Sequence, residues 1–540
     1  MLVVVLVVIA LLSLAGLTFS EMMVCEREGA DLAVRQAQSR ALAESGIAAA
    51  RSLMAMDQQT QIEAGGWYDN PTQFQGVLMT DGQYPRDRGR FAVVAPYLEA
   101  GVVAGVRYGL EDESGRININ TLVQLDKQSP GKGREVLMGL PGMTEDVADA
   151  ILDWIDEDDE PREFGAEIDT YSSLVPGYAP KNGPLDTIEE LLLVQGVTPT
   201  LLFGVDANRN GTADPTEPDP QSMEGIDNSD GSMTGGWAQY LTVSSREANV
   251  KADGQPKINL NQKDLNKLSQ ALQAIFTPEE VNFILFARQY GLYTGNNPAT
   301  PSPPGSLKPD LNAQPKGQFK TLLDVIGAKV EIPAQSQSGA GGSGGSGSSK
   351  SAGSSKSGGS GSSSSGSSQQ STILASPFSP ETDAMAEYLP KLLDNCSLSD
   401  AKTVPGRINI NQASRTVLLA IPGMTEDLVE KILADRQPDP LTADPTHQYE
   451  TWLLTEGVVT LDEMKALMPY ICAHGSLYRG QAIGYYDDGT ASSRIEFVLD
   501  TGQKPPAIVF WRDISHLGRG YPLDVLGIDA SGLESSSLSP

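Results

Sequence analysis

Residues 1–20, MLVVVLVVIALLSLAGLTFS, contain no charged side chain, and residues 21–56, EMMVCEREGADLAVRQAQSRALAESGIAAARSLMAM, follow without a proline. At 1.5 Å rise per residue, twenty helical residues reach about 30 Å, the thickness of a bilayer's hydrocarbon core. A cleaved secretory signal would show a basic start and an apolar run of about 7 to 15 residues, and neither is present. Further on, the spacing places Val34, Ala37, Ala41 and Ala48 on one helical face, away from Arg35, Gln38, Ser39 and Arg40. The expectation is one continuous helix. Residues 1–20 cross a membrane, residues 21–64 pack on a sheet, and Gly65-Gly66 ends the helical stretch.

The sheet for that helix is legible at both ends of the chain. Arg90 to Val94 and Val102 to Leu110 read as strands, as do Leu477 to Tyr486 and Arg494 to Leu499, joined across the hairpin signal Asp487-Asp488-Gly489. Ile495, Phe497 and Leu499 share one face, and Ala507 to Trp511 makes a further strand. Residues 65–114 and 474–515 are therefore expected to form one α+β domain, an antiparallel sheet under the long helix, with 516–540 left as a C-terminal tail.

Between these ends one helical unit is repeated three times. Gly115-Arg116-Ile117-Asn118-Ile119-Asn120 returns as Gly406-Arg407-Ile408-Asn409-Ile410-Asn411 and, more loosely, as Lys257-Ile258-Asn259-Leu260-Asn261. Leu140-Pro141-Gly142-Met143-Thr144-Glu145-Asp146 is matched by Ile421-Pro422-Gly423-Met424-Thr425-Glu426-Asp427, and Phe276-Thr277-Pro278-Glu279-Glu280 stands at the equivalent place in the middle copy. The Pro-Gly pair turns the chain, and the threonine caps a helix whose first turn welcomes acids. Capping boxes are expected at Thr187 with Glu190, Thr277 with Glu280 and Thr460 with Glu463. The units are assigned to 115–205, 257–330 and 406–472. Residues 336–371, almost all Gly and Ser, read as a flexible tether of roughly 30 to 35 Å between the second unit and the third.

Charge limits the functions open to such a chain. The formal charge of −30 opposes binding to phosphate backbones. A Pro-Gly hairpin can hold DNA phosphate at a helix N-terminus, but Glu145-Asp146 and Glu426-Asp427 occupy that position here. With three Cys and three His, a zinc or haem ligand set has little to draw on. No Walker A loop or HExxH is present, and no catalytic residue is assigned. Cys396 and Cys472 both follow the tether and would be free to pair outside a reducing compartment.

One segment carries metal chemistry. Asp206, Asn208, Asn210, Gly211, Asp214 and Glu217 fall at positions 1, 3, 5, 6, 9 and 12 of a loop, the oxygen-ligand spacing of a calcium site, with Thr212 offering its carbonyl. Pro218 and Pro220 oppose the exit helix of an EF-hand, so residues 206–220 are expected to be a structural calcium loop rather than a sensor. The acidic run Asp156 to Glu160, with Glu167 and Asp169, is left as a solvated loop or a second cation site.

Taken together these pieces resemble the minor pseudopilin K subunit of bacterial type II secretion systems. The matching residues are the apolar helix running into Ala41-Leu42-Ala43-Glu44-Ser45-Gly46, then Gly115 to Asn120, Asp153-Trp154-Ile155-Asp156 with Asp158, Asp159 and Pro161, and Gly165-Ala166-Glu167. Asn182-Gly183-Pro184-Leu185 and Glu189-Glu190-Leu191 to Gly196-Val197 complete the set. The resemblance implies a pseudopilin fold with inserted all-α helix-hairpin, SAM-like domains. It also implies a single-pass inner-membrane protein with a periplasmic head, working with I- and J-type subunits and the inner-membrane machinery at the tip of a pseudopilus. Other pseudopilins carry an early Glu that meets the amine of the subunit above; none precedes Glu21 here, which suits a subunit with nothing above it. The family's basic leader is not seen before the helix, so the expectation is an upstream start or unusual processing. Readings from other classes are a membrane-tethered DNA-uptake receptor, which requires salt-sensitive DNA binding, and an anchored calcium-dependent adhesin.

Overall fold

The computed structural model describes residues 2–528 apart from 213, 220, 221, 224, 225, 252, 296–301, 304–306 and 334–370. The Gly/Ser tract, except Ser371, and the end of the tail from 529 lie outside the described residues. The chain divides into two compact units: Met1–Ala248 with Thr403–Leu453 and Ala466–Pro540, and Asn249–Lys402 with Leu454–Lys465.

In the first unit a single helix, α1, runs from Leu2 to Ala55. Residues 2–34 are exposed along their whole length, and an 18-residue window has a mean hydropathy of 2.9. The buried stripe of the second half is Ser39, Leu42, Ala43, Gly46, Ile47, Ala50, Leu53 and Met54. The expected face was different: Val34, Ala37, Ala41 and Ala48 are exposed. Alanine is too small to mark a face by itself. Leu42, Ile47, Leu53 and Met54 set the rotation, while Ser39, Ala43, Gly46 and Ala50 let the helix come close to the sheet. That approach is tight, since a Cβ on Gly484 would lie 1.9 Å from the Ser39 carbonyl oxygen.

The sheet consists of β1 (Val77–Thr80), β2 (Gly89–Glu99), β3 (Val102–Arg107), β4 (Glu111–Asp112), β5 (Leu477–Tyr486), β6 (Ser492–Asp500) and β7 (Ala507–Asp513). All pairings are antiparallel, in the order β1-β2-β5-β6-β7, with β3 on β2 and β4 on β5. Two-residue alternation divides the side chains between the faces. Phe91, Val93, Ala482, Ile495, Phe497 and Leu499 pack under α1, whereas Ala92, Val94, Ile483 and Tyr485 face the other way. Tyr521, Leu526 and Ile528 cover that second face, so residues up to 528 belong to the core of this domain and are not a free tail.

The three repeats are closed by one device. Ile117–Asn118 pairs in parallel with Leu241–Thr242, Ile258–Asn259 with Cys396–Ser397, and Ile408–Asn409 with Ile471–Cys472. In each motif the first Asn accepts from the backbone N–H of the second, at 3.2, 2.8 and 2.9 Å. The second Asn then donates across the unit. Asn120 reaches the carbonyls of Leu185 and Val243, Asn261 that of Phe319, and Asn411 those of His447 and Ala473. Pro-Gly turns with Gly142 at φ +69° and Gly423 at φ +90° precede the helices Glu145–Ile155 and Glu426–Asp435. The three expected capping boxes form.

These closures move two boundaries. The first repeat extends beyond 205 to Val243 and contains the oxygen-rich loop, and the second extends beyond 330 to Ser397. A two-residue closing strand has no hydropathy period to read. The tract 336–371 does not lead from the second repeat to the third, because its flanks, Lys329–Ile332 and Thr372–Ala375, are paired antiparallel with Ile332 opposite Thr372. It leaves and re-enters the same unit. Cys396 and Cys472 are both free and buried.

Candidate functional site

The second face of the sheet has a polar half beside its apolar one. Arg479 and Gln481 on β5, Arg494 and Glu496 on β6 and Arg512 on β7 alternate toward it, and the first repeat covers them. Glu496 pairs with Arg479 at 2.6 Å and with Arg512 at 2.7 Å; Arg512 also meets Glu189, which pairs with Arg209 at 2.7 Å. Burial works to raise the Glu496 carboxyl, but the two guanidinium groups overcome it and hold the group down at about 2. A cavity of about 110 Å³ remains among these residues, lined also by Asp206, Asn210 and Gly211.

The loop 206–217 follows the helix Pro199–Phe203 and Gly204, which sits at φ +62° where a Cβ would strike the carbonyl oxygens of Met233 and Thr234 at 2.2 Å. Asp206 is buried and accepts from the N–H groups of Asn210, at 3.0 Å, and Gly211, at 2.8 Å. Gly211 holds φ +79°, the left-handed conformation that the sharp turn requires. The amides of Asn208 and Asn210 both donate to Asp214, at 2.5 and 2.9 Å. Glu217 accepts from the N–H groups of Asn208 and Asp214, and Thr212 donates its N–H to Asn210 Oδ1 at 2.7 Å. Burial pushes the Asp206 carboxyl up, and Glu217 adds to this, against the Asn210 and Gly211 N–H groups and Arg494.

The loop therefore brings Asp206, Asn208, Asn210, Asp214 and Glu217 into one hydrogen-bonded ring. Among the described residues no three His, Cys, Asp or Glu side chains gather closely enough to hold a metal ion by themselves. The three loop carboxylates are linked through asparagines, so oxygens of Asn208, Asn210 and Thr212 are needed to complete any cation shell.

The spacing of the loop residues did not reveal Arg494, which is fully buried and sits behind the loop. It donates to the carbonyls of Asn208 and Arg209, at 2.7 and 2.5 Å, and to Gln481 Oε1. The available signal was a set of polar residues at alternating strand positions (Arg479 and Gln481, Arg494 and Glu496, with Arg512), which marks a sheet face covered by polar partners.

The acidic run in the first repeat is only partly solvated. Arg162 pairs with Asp153 at 2.6 Å and Asp156 at 2.5 Å, and Arg134 with the buried Asp149. Glu167 is buried with neither carboxyl oxygen hydrogen-bonded. Burial, reinforced by Asp153, Asp156, Asp159 and Asp158, pushes it up to about 7.

Comparison with known proteins finds a family match within the first repeat, ahead of the loop 206–217. Residues 115–203 match the family model of protein K of the type II secretion system. A curated relative, type II secretion system protein K of Pseudomonas aeruginosa, is 34% identical over 97 residues, which cover 17% of this chain and 29% of that protein. The match thus spans less than a third of the relative's length. The crystal structure of the GspK-GspI-GspJ complex from the type 2 secretion system of enterotoxigenic Escherichia coli contains a chain that is 12% identical, with 89% of this chain and 98% of that one covered at a TM-score of 0.31. At that score the likeness decides nothing about fold or partners. The sequence resemblance to protein K is borne out by the family match and the curated relative.

Proposed function

We propose that this chain is a minor pseudopilin, a tip component of the type II secretion pseudopilus that assembles with I- and J-type subunits and acts in protein export across the outer membrane. One observation carries the reading: a single helix is exposed and apolar through its first half and built into a sheet through its second, and the segment matching protein K is inserted between β4 and β5 of that sheet. Such a helix fits anchorage in the bacterial inner membrane, and we place the head in the periplasm. Exposed apolar surface of this length is stable only in lipid or against similar helices. The test is copurification of the head, without residues 1–20, with candidate I and J subunits. Recovery of a complex supports the assignment, and a head that stays alone with both partners in excess contradicts it.

The loop 206–217 fits a structural calcium ion as the second element of the proposal. Its side chains offer hard oxygen donors, Gly211 makes the turn, and among the described residues the buried Asp206 carboxylate forms no ion pair, Arg494 acting on it only from behind the loop. Asp206, Asn208, Asn210, Asp214 and Glu217 would hold the ion with the Thr212 carbonyl. When bound, it would neutralise the carboxylates and cross-link the loop. Calorimetry with calcium before and after Asp206→Ala tests this: binding heat should vanish in the variant, and equal heats would remove the metal from the account.

A further inference from the structure

We infer that Arg494 and Tyr521 are positioning residues for the loop 206–217, and that cation binding there and docking of residues 519–528 on the second sheet face favour one another. The inference rests on the calcium reading above. Asn210 joins the two events. Its Oδ1 lies inside the loop, accepting from Thr212, while its Nδ2 donates both to Asp214 and, at 2.6 Å, to the carbonyl of Gly520. Its own carbonyl accepts from the Tyr521 hydroxyl at 3.3 Å. One residue is thus a candidate ligand on its inner side and a clasp for the C-terminal segment on its outer side.

Arg494 fixes the loop from behind. No carboxylate among the described residues lies within ion-pair distance of its guanidinium, which is met instead by the Asn208 and Arg209 carbonyls, Gln481 and the face of Tyr521 at 5.1 Å. A buried cation left in this way is costly unless those carbonyls stay in place, so it holds the loop backbone in the shape it has. Charge agrees with this arrangement, because three loop carboxylates, one divalent ion and the Arg494 guanidinium leave no net charge, while Arg209 in the loop is balanced by Glu189. Tyr521 in turn belongs to the cluster with Ala92, Val94, Ile483, Tyr485, Leu526 and Ile528. Displacing the segment would expose that apolar face as well as breaking the clasp.

Linkage requires the coupling to be reciprocal. Tyr108 provides a test outside the metal ligands, since its hydroxyl donates to the carbonyl of Val525 and accepts from Gln75, and among the described residues it has no hydrogen bond to the loop. The experiment uses the full chain in detergent, titrated with calcium chloride by calorimetry and followed by hydrogen exchange of 519–528 in calcium and in EGTA. Calcium should slow exchange in 519–528 about tenfold, and Tyr521→Phe and Tyr108→Phe should each weaken calcium binding by roughly threefold to tenfold. A merely structural hydroxyl at Tyr108 would leave the calcium affinity unmoved. If calcium binds but exchange in 519–528 is the same with and without it and neither variant shifts affinity, the coupling is overturned while the loop remains a calcium site. If the unaltered chain shows no calcium binding, the loop reading falls and the inference falls with it.

Discussion

Asn411 shows how much of a repeat depends on one amide. It is buried, it donates to the carbonyls of His447 and Ala473, and its Oδ1 accepts from the Trp452 indole at 3.1 Å. Removing it takes one buried hydrogen bond from each of two carbonyls and from the indole N–H. Asn411→Ala should therefore cost about 2 to 4 kcal/mol, read as a shift in the urea midpoint with the slope preserved. Glu167 makes a prediction with a definite pH sign. Its folded-state proton is held to about 7, whereas an unfolded glutamate releases it near the ordinary 4.5. The stability this lends is present below about pH 4.5 and is lost as pH rises through 7, by on the order of 2 kcal/mol. In chelator, Glu167→Gln should flatten that fall, so that its advantage over the parent chain grows between pH 5 and pH 8. An advantage that shrinks over this range would contradict the assignment. The importance of the Asn pairs was visible in the repeat itself, but the isolation of Glu167 was not, because only the fold shows which acids are left without Arg162 or Arg134.

At the scale of elements, strands and capping boxes were the legible part. β5 spans Leu477–Tyr486 as the alternation indicated, and β6 carries Ile495, Phe497 and Leu499 into the core together. The rotation of α1 was not legible, since a helix rich in alanine offers several nearly equivalent faces and the choice is made by the close approach of Gly46 and Gly484 to the opposing backbone and side chains. The repeat closures were missed for a different reason: each pairs two residues across a long sequence separation. The Gly/Ser tract was read correctly in composition but not in connectivity, because composition does not say whether two flanks meet. Since Ile332 and Thr372 are paired, the tract closes a loop, and closure entropy falls as that loop is shortened. Replacing residues 336–369 by a four-residue Gly/Ser turn should leave the fold intact and stabilise the second unit by about 1 to 2 kcal/mol. Denaturant unfolding checks this, and destabilisation would mean that the tract contributes contacts of its own.

Within the first unit an apolar helix covers one face of the sheet, and the first repeat packs on the other face through polar contacts. The turn of 206–217 about Gly211 was legible from the spacing of its oxygen-bearing residues; its place against Arg494 and the C-terminal segment was not, because Arg494 lies 286 positions from Asn208 and Gly520 lies 310 from Asn210. The proposed role requires the exposed half of α1 to stay in the bilayer beside the helices of pseudopilin partners. Photo-cross-linking from Val8 and Leu12 of the full chain, in cells making the I- and J-type subunits, tests it most directly. The account predicts a membrane-held product that joins this chain to a sibling pseudopilin through its own apolar helix; a soluble mature protein lacking residues 1–20, with no such product, would contradict it.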